Sequence, residues 1–297
     1  MTPNRTEEVA LVSTDDAIRR LRTDPASAEL VRDAYLGRDV GDSGRRFAES
    51  AEFQELRALL GQELTGACVL DVGAGTGIAS LAFVSNGAGR VIALEPDPSD
   101  EVGRGAISRL DPDGRIELLD ASGEEIPLPD QSVDIVYARQ LLHHARDLPQ
   151  LVRECARVLR GGGFFVACRE HVVADEAELT AFLAAHPVHQ LAGGENAFPL
   201  AAYRDAIRAA GLELQQVLGP WDSIINAYPA ARTSAELAQL PRAALKRRLG
   251  VLGGVASHIP GVPRLVRTLR RGEPGRLYSF VARKPGPSSV AQQTGDS

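Results

Sequence analysis

An apolar run ending in three glycines at alternate positions, Val69-Leu70-Asp71-Val72-Gly73-Ala74-Gly75-Thr76-Gly77, constrains the fold of this chain more than any other segment. Glycine tolerates positive φ and lets a ligand approach the backbone closely. The helical pattern that starts at Ile78 presents free N–H groups at its first turn. A dinucleotide loop of G-x-G-x-x-G spacing would need glycine at position 78, but Ile78 stands there and the spacing is G-x-G-x-G. No Lys or Arg lies within 69–80, where a pyrophosphate would favour one. Tight strand-to-helix turns use glycine for structural reasons too, so the loop needs its context.

That context is alternation. Apolar runs at 68–72, 91–95, 116–119, 133–137 and 164–168 read as strands, with helical patterns at 78–86 and 148–159 between them. Strands alternating with helices predict a parallel sheet covered on both faces. A helix at 200–210 leads through Gly211 into a strand at 212–218, and a last strand occupies 277–283. Upstream, Ser13 and Asp16 form a capping pattern ahead of Ile18 and Leu21. Asp24-Pro25 starts a second helix whose apolar face is Leu30, Val31, Ala34 and Tyr35. A loose Gly-punctuated stretch, 37–44, precedes a third helix that carries Phe53, Leu56, Leu59 and Leu60 and stops near Gly61. The domain reading is a helical cap at 1–52, a core at 53–219 and 276–284 with an insertion at 170–199, a second insertion at 220–275, and a disordered tail at 285–297.

Charge and cysteine usage narrow the function. The net charge of −6 argues against a globally basic nucleic-acid binder. Cys68, Cys155 and Cys168 are too few and too scattered for a disulfide framework or zinc cage. No run approaches the roughly 18 apolar residues of a membrane span, and the first residues lack a secretory pattern, so a soluble cytoplasmic protein is expected.

Glu95 ends the second strand, placed where a carboxylate can accept both hydroxyls of a ribose. From residue 53 to 167 the chain resembles the class I S-adenosylmethionine-dependent methyltransferases, closest in pattern to small-molecule enzymes related to the quinone-biosynthesis C-methyltransferases. The resemblance runs through 69–77, Glu95-Pro96-Asp97, Asp120-Ala121, the Pro-rich lead-in 126–134, and the helix 148–159 followed by Arg160-Gly161-Gly162-Gly163. Two extra residues separate Asp120 from Pro127 compared with the commonest spacing. The resemblance implies a Rossmann-like, seven-stranded, mostly parallel sheet with the last strand antiparallel between the fifth and sixth. It implies S-adenosylmethionine as cofactor and S-adenosylhomocysteine as product. Asp71, Gly73, Ala74, Gly75 and Gly77 would face the methionine end, Glu95 the ribose, Pro96 the adenine, and Asp120 and Ala121 the adenine amino group. A cofactor-binding protein of the same fold without methyl transfer, and a nicotinamide oxidoreductase, are the competing readings.

The acceptor should lie at the carboxyl ends of the strands. Arg139 and Gln140 after the fourth strand are read as lining the methionine pocket, and His143 or His144 as a base or as loop organisers. His171 faces the same end, and Glu170 beside it either binds a polar acceptor or is a surface loop residue. No metal site is expected, because His143, His144 and Asp147 lack a separate partner cluster. Tyr35 and Trp221 are candidate aromatic walls, with ordinary core the commoner role for each alone. Residues 242–276 hold nine basic residues against one acid, Glu273, with a basic amphipathic helix at 264–271. That segment is either a solvated face or a surface for an anionic or lipid-like acceptor, or for peripheral contact with an anionic membrane. Oligomeric state is not legible.

Overall fold

The computed structural model describes residues 11–256, 259, 261, 262, 265, 266 and 276–286. Its strands are β1 (Cys68–Val72), β2 (Arg90–Leu94), β3 (Ile116–Leu119), β4 (Val133–Arg139), β5 (Leu159–Val173), β6 (Phe198–Pro199), β7 (Glu213–Leu218) and β8 (Arg276–Arg283). They form one sheet in the order β3-β2-β1-β4-β5-β8-β7, with β6 added to β5. The pairs from β3 through β5 are parallel, and β8 runs antiparallel to both β5 and β7. The last strand therefore lies where expected. The sheet has eight strands rather than seven because of the two-residue β6.

Side-chain alternation along β1 divides the core. Leu70 and Val72 join a buried cluster with the helices Leu148–Val158 and Leu200–Ala209, while Val69 joins another with Ala51–Leu60 and Ile78–Ser85. Both faces of the parallel sheet are thus covered by helices. Among the described residues no helix is long and apolar enough to cross a membrane.

Four local expectations change. The helix after Asp24-Pro25 is a single tight turn, Pro25–Ser27, and a short helix, Ala28–Asp33, that buries none of its residues. Tyr35 leaves it at φ +59 and packs edge-on against Phe47 at 5.3 Å, so it is core and not an acceptor wall. The stretch 37–44 is half helix: Val40–Glu49 begins inside it, capped by Asp39, which accepts from the Asp42 N–H at 2.9 Å. β5 is 15 residues long, because β8 pairs with it as far as Val172 across a bulge at Ala167/Glu170. Glu170 and His171 therefore lie in a strand, and Glu170 is fully buried instead of on a surface loop. In the second insertion, helix Ser234–Ala256 is broken at Gly250, and most of the expected basic helix 264–271 lies outside the described residues, as does the tail from 287.

One buried ion cluster fastens the N-terminal helices to the sheet. Glu52 accepts from Arg139 Nε at 2.6 Å and Nη2 at 3.1 Å, and Arg169 Nη1 lies 3.8 Å away. Arg169 also donates to the carbonyls of Ile225 and Tyr228, at 2.7 and 2.9 Å. The Arg139 guanidinium sits under the Phe47 and Tyr35 rings, at 5.2 and 5.8 Å. Burial opposes ionisation of Glu52, but the charges of Arg139 and Arg169 prevail and hold it below the usual carboxylate range. Glu52→Ala leaves two buried guanidinium groups uncompensated and should cost about 3–5 kcal/mol in denaturant unfolding. A loss below about 1 kcal/mol would show that the cluster does not hold the cap.

Candidate active site

The glycine loop takes the turn from β1 into helix Ile78–Ser85 with φ of +65 at Gly73, +56 at Gly75 and +79 at Gly77. A Cβ on Gly73 would lie 2.4 Å from Leu141 Cδ1, so glycine is required there for packing as well as conformation. At Gly75 the nearest atom to such a Cβ is the Val102 carbonyl at 3.8 Å, which leaves the loop open to a ligand. The N–H groups of Gly73 and Ala74 both donate to the Leu94 carbonyl, at 2.8 and 3.1 Å.

Glu95 staples this loop to the turn after β2. Its Oε2 accepts the Gly75 N–H at 2.7 Å and its Oε1 the Asp97 N–H at 2.9 Å. A carboxylate has about four acceptor sites, so lone pairs remain for a diol. Arg104, which the sequence did not single out, donates to the Glu95 carbonyl at 3.0 Å and to Asp120 Oδ1 at 2.7 Å. Asp120 is exposed and paired in this way, and the neighbouring Ser122 and Gly123 line the cavity in its place. Asp71 does not line the cavity either; its carboxylate is buried and accepts the Ser80 hydroxyl at 2.6 Å.

Two cavities open at the carboxyl ends of the strands. One, about 560 Å³, is lined by Gly73, Pro96, Ser122, Gly123, Leu141 and His144. The other, about 470 Å³, is lined by Gln140, His143, His144, His171, His186 and Glu195, with Ile18, Leu30, Leu36 and Val188 among its apolar walls. His144 belongs to both.

The loop after β4 sets this partition. Gln140 turns it with φ +53, and its N–H donates to the Cys168 carbonyl at 2.9 Å. Glu170 Oε1 then accepts the Leu141 N–H at 3.1 Å, and Oε2 accepts the His143 N–H at 3.1 Å and meets His143 Nδ1 at 2.6 Å. His143 is buried, and its ring contacts His144 at 4.3 Å and His171 at 4.8 Å. Loss of hydration holds His143 neutral, far below the ordinary imidazole value, with His144 adding to the effect. Burial raises Glu170 in the same way, against its backbone hydrogen bonds.

Of the expected residues, Gly73, Pro96, Gln140 and the three histidines line the cavities, and Glu95 is tied to the glycine loop through the Gly75 N–H. Arg139 does not line them, since Glu52 holds its side chain. Glu195 was missed: it follows Gly193 and Gly194, at φ +71 and +83, and only that glycine pair marks it in the sequence.

Residues 70–167 match the family described as a methyltransferase domain. The chain spans less than two thirds of the length of the curated methyltransferases it matches. A probable S-adenosylmethionine-dependent methyltransferase of Mycobacterium tuberculosis is 37% identical over 107 residues, 36% of this chain and 37% of that relative. The 27-O-demethylrifamycin SV methyltransferase of Amycolatopsis mediterranei is 30% identical over 174 residues, 56% of this chain and 63% of its own length. The fold is that of an S-adenosylmethionine-dependent methyltransferase from Mesorhizobium loti, with a TM-score of 0.52 at 19% identity over 80% of this chain and all of that one.

Within the matched stretch, burial pushes Asp71 up to about 7, with Glu95 adding to it and the Ser80 hydroxyl opposing. A carboxyl raised in the fold binds its proton more tightly folded than unfolded. Its contribution to stability is complete below 3.8, the ordinary value, and is lost as pH rises through about 7. Asp71→Asn cannot ionise, so wild-type Tm should fall relative to the variant between about pH 4 and pH 7. Parallel Tm curves would contradict this.

Proposed function

We infer that the chain transfers a methyl group from S-adenosylmethionine to an uncharged small molecule held in the histidine-lined cavity. The observation that carries this reading is the sharing of His144 by the two cavities, which sets a cofactor-sized space against an acceptor-sized one. In-line displacement needs that arrangement: donor sulfur, methyl carbon and acceptor atom on one axis. The acceptor's lone pair forms the bond to the methyl carbon, sulfur keeps the electron pair of the bond that breaks, and the acceptor's hydroxyl proton passes to a histidine of the cavity or to water. The cofactor leaves as S-adenosylhomocysteine, having supplied the electrophile.

Glu95 would bind the ribose hydroxyls with its remaining lone pairs, and the open face at Gly75 would admit the methionine end. Pro96 and the turn that Asp120 and Ala121 begin would flank adenine, with Ser122 on the cavity wall. Among the described residues, no Lys or Arg lines the acceptor cavity and Glu195 does, which favours an uncharged acceptor over an anionic one. The relative that methylates a rifamycin is consistent with a small-molecule acceptor.

Calorimetry with S-adenosylhomocysteine tests the cofactor half. Glu95→Ala should weaken binding by about 10- to 100-fold, the worth of hydrogen bonds to a charged group. Unchanged affinity would overturn the ribose assignment, and tight NAD(P) binding without S-adenosylhomocysteine binding would overturn the reading as a whole. For the acceptor half, methyl-labelled cofactor should pass label to neutral hydroxylated small molecules; transfer only to carboxylates or phosphates would contradict an uncharged acceptor.

A further inference from the structure

We propose that His143, His144 and Glu195 form a binding site for one divalent first-row transition-metal ion, open on one side to the acceptor cavity. His143 Nε2 lies 3.8 Å and His144 Nε2 3.6 Å from Glu195 Oε2, and the three atoms all fall within 4.8 Å of one another. These separations are too long for hydrogen bonds and close to what a shared ion needs. Metal–nitrogen and metal–oxygen bonds of ~2.1 Å imply donor atoms ~3.4 Å apart around a tetrahedral ion. A contraction of a few tenths of an ångström brings Glu195 Oε2 to that distance from both nitrogens.

The tautomers favour an ion. His143 Nδ1 meets Glu170 Oε2 at 2.6 Å, and that oxygen also accepts the His143 backbone N–H. His144 Nδ1 meets the Gly194 carbonyl at 3.2 Å. Carbonyl and carboxylate oxygens accept, so both Nδ1 atoms carry hydrogen and both Nε2 atoms present lone pairs. On the other side of the carboxylate, His186 Nδ1 lies 3.7 Å from Glu195 Oε1 and itself accepts the His189 N–H at 3.4 Å. Glu195 Oε2 thus faces two imidazole Nε2 atoms whose lone pairs are left over by their Nδ1 hydrogen bonds. A cation between these atoms removes the repulsion.

The supporting contacts are those of metal sites, where ligand histidines donate their other ring N–H to a carboxylate or carbonyl. Two histidines and one carboxylate with open positions suit zinc, iron(II) or cobalt(II). The sequence argument against a metal rested on the lack of a partner for His143 and His144, and the fold supplies one in Glu195, 51 residues beyond His144. The open side faces the cavity proposed for the acceptor. Resting on the methyl-transfer reading, the ion would bind an oxygen of a hydroxylated acceptor and make its proton more acidic.

The test uses tag-free full-length protein, stripped with a chelator and titrated with Co²⁺ by visible absorption and with Zn²⁺ by calorimetry. One ion per chain should bind, with Zn²⁺ displacing Co²⁺. Glu195→Gln and His144→Ala should each weaken binding at least ~10-fold, whereas Glu176→Gln, on an exposed helix, should not. Circular dichroism verifies that the variants fold, and Glu195→Gln preserves shape if His144→Ala does not fold. Binding weaker than about 1 mM, or binding unchanged in Glu195→Gln, would overturn the site. S-adenosylhomocysteine titrated into the same metal-free protein keeps the two claims apart: retained cofactor binding without metal binding removes only the metal, and the reverse removes the methyl-transfer reading.

Discussion

The Glu170 carboxylate, buried in β5, is the contact on which the arrangement of this site depends. It gathers the Leu141 N–H, the His143 N–H and the His143 ring, and so holds the loop after β4 against its neighbouring strand. The Leu141 side chain lies against Gly73, whose φ of +65 favours glycine. His144, next in the same loop, becomes the wall between the two cavities. One buried carboxylate therefore links the glycine loop and the two cavities. The burial that makes it costly to ionise also makes each of its hydrogen bonds expensive to lose.

The same economy of buried acids recurs on either side. Glu95 holds the glycine loop to the turn after β2, and Glu52 holds the N-terminal helices through Arg139 and Arg169. Each joins segments distant in sequence, and each meets donors fixed by the backbone or by aromatic packing. Ile18, Leu30 and Leu36 of the N-terminal helices supply an apolar wall to the histidine-lined cavity.

What could be read from the chain was what its local pattern determines. β1 is a short apolar run buried along its whole length, and the glycine loop announces a backbone that must turn at positive φ. The length of β5 was not legible, because its second half pairs with β8, more than 100 residues later. Nor was the destination of Arg139, whose partner Glu52 lies 87 residues upstream. Tyr35 fits a helical apolar face by spacing, yet the chain leaves the helix before reaching it. Glu195 looked like any loop acid, and it gains meaning only where the insertion folds back over His143 and His144. Residues that act through neighbours in sequence were found, and those that act across the sheet were not.

The central claim is that cofactor and acceptor occupy adjoining cavities that meet at His144. A crystal structure with S-adenosylhomocysteine bound tests it most directly. The account predicts both ribose hydroxyls within hydrogen-bond reach of Glu95, and the sulfur at the opening toward His144 and the histidine-lined cavity. A ligand seated elsewhere, or a sulfur turned away from that cavity, would contradict it.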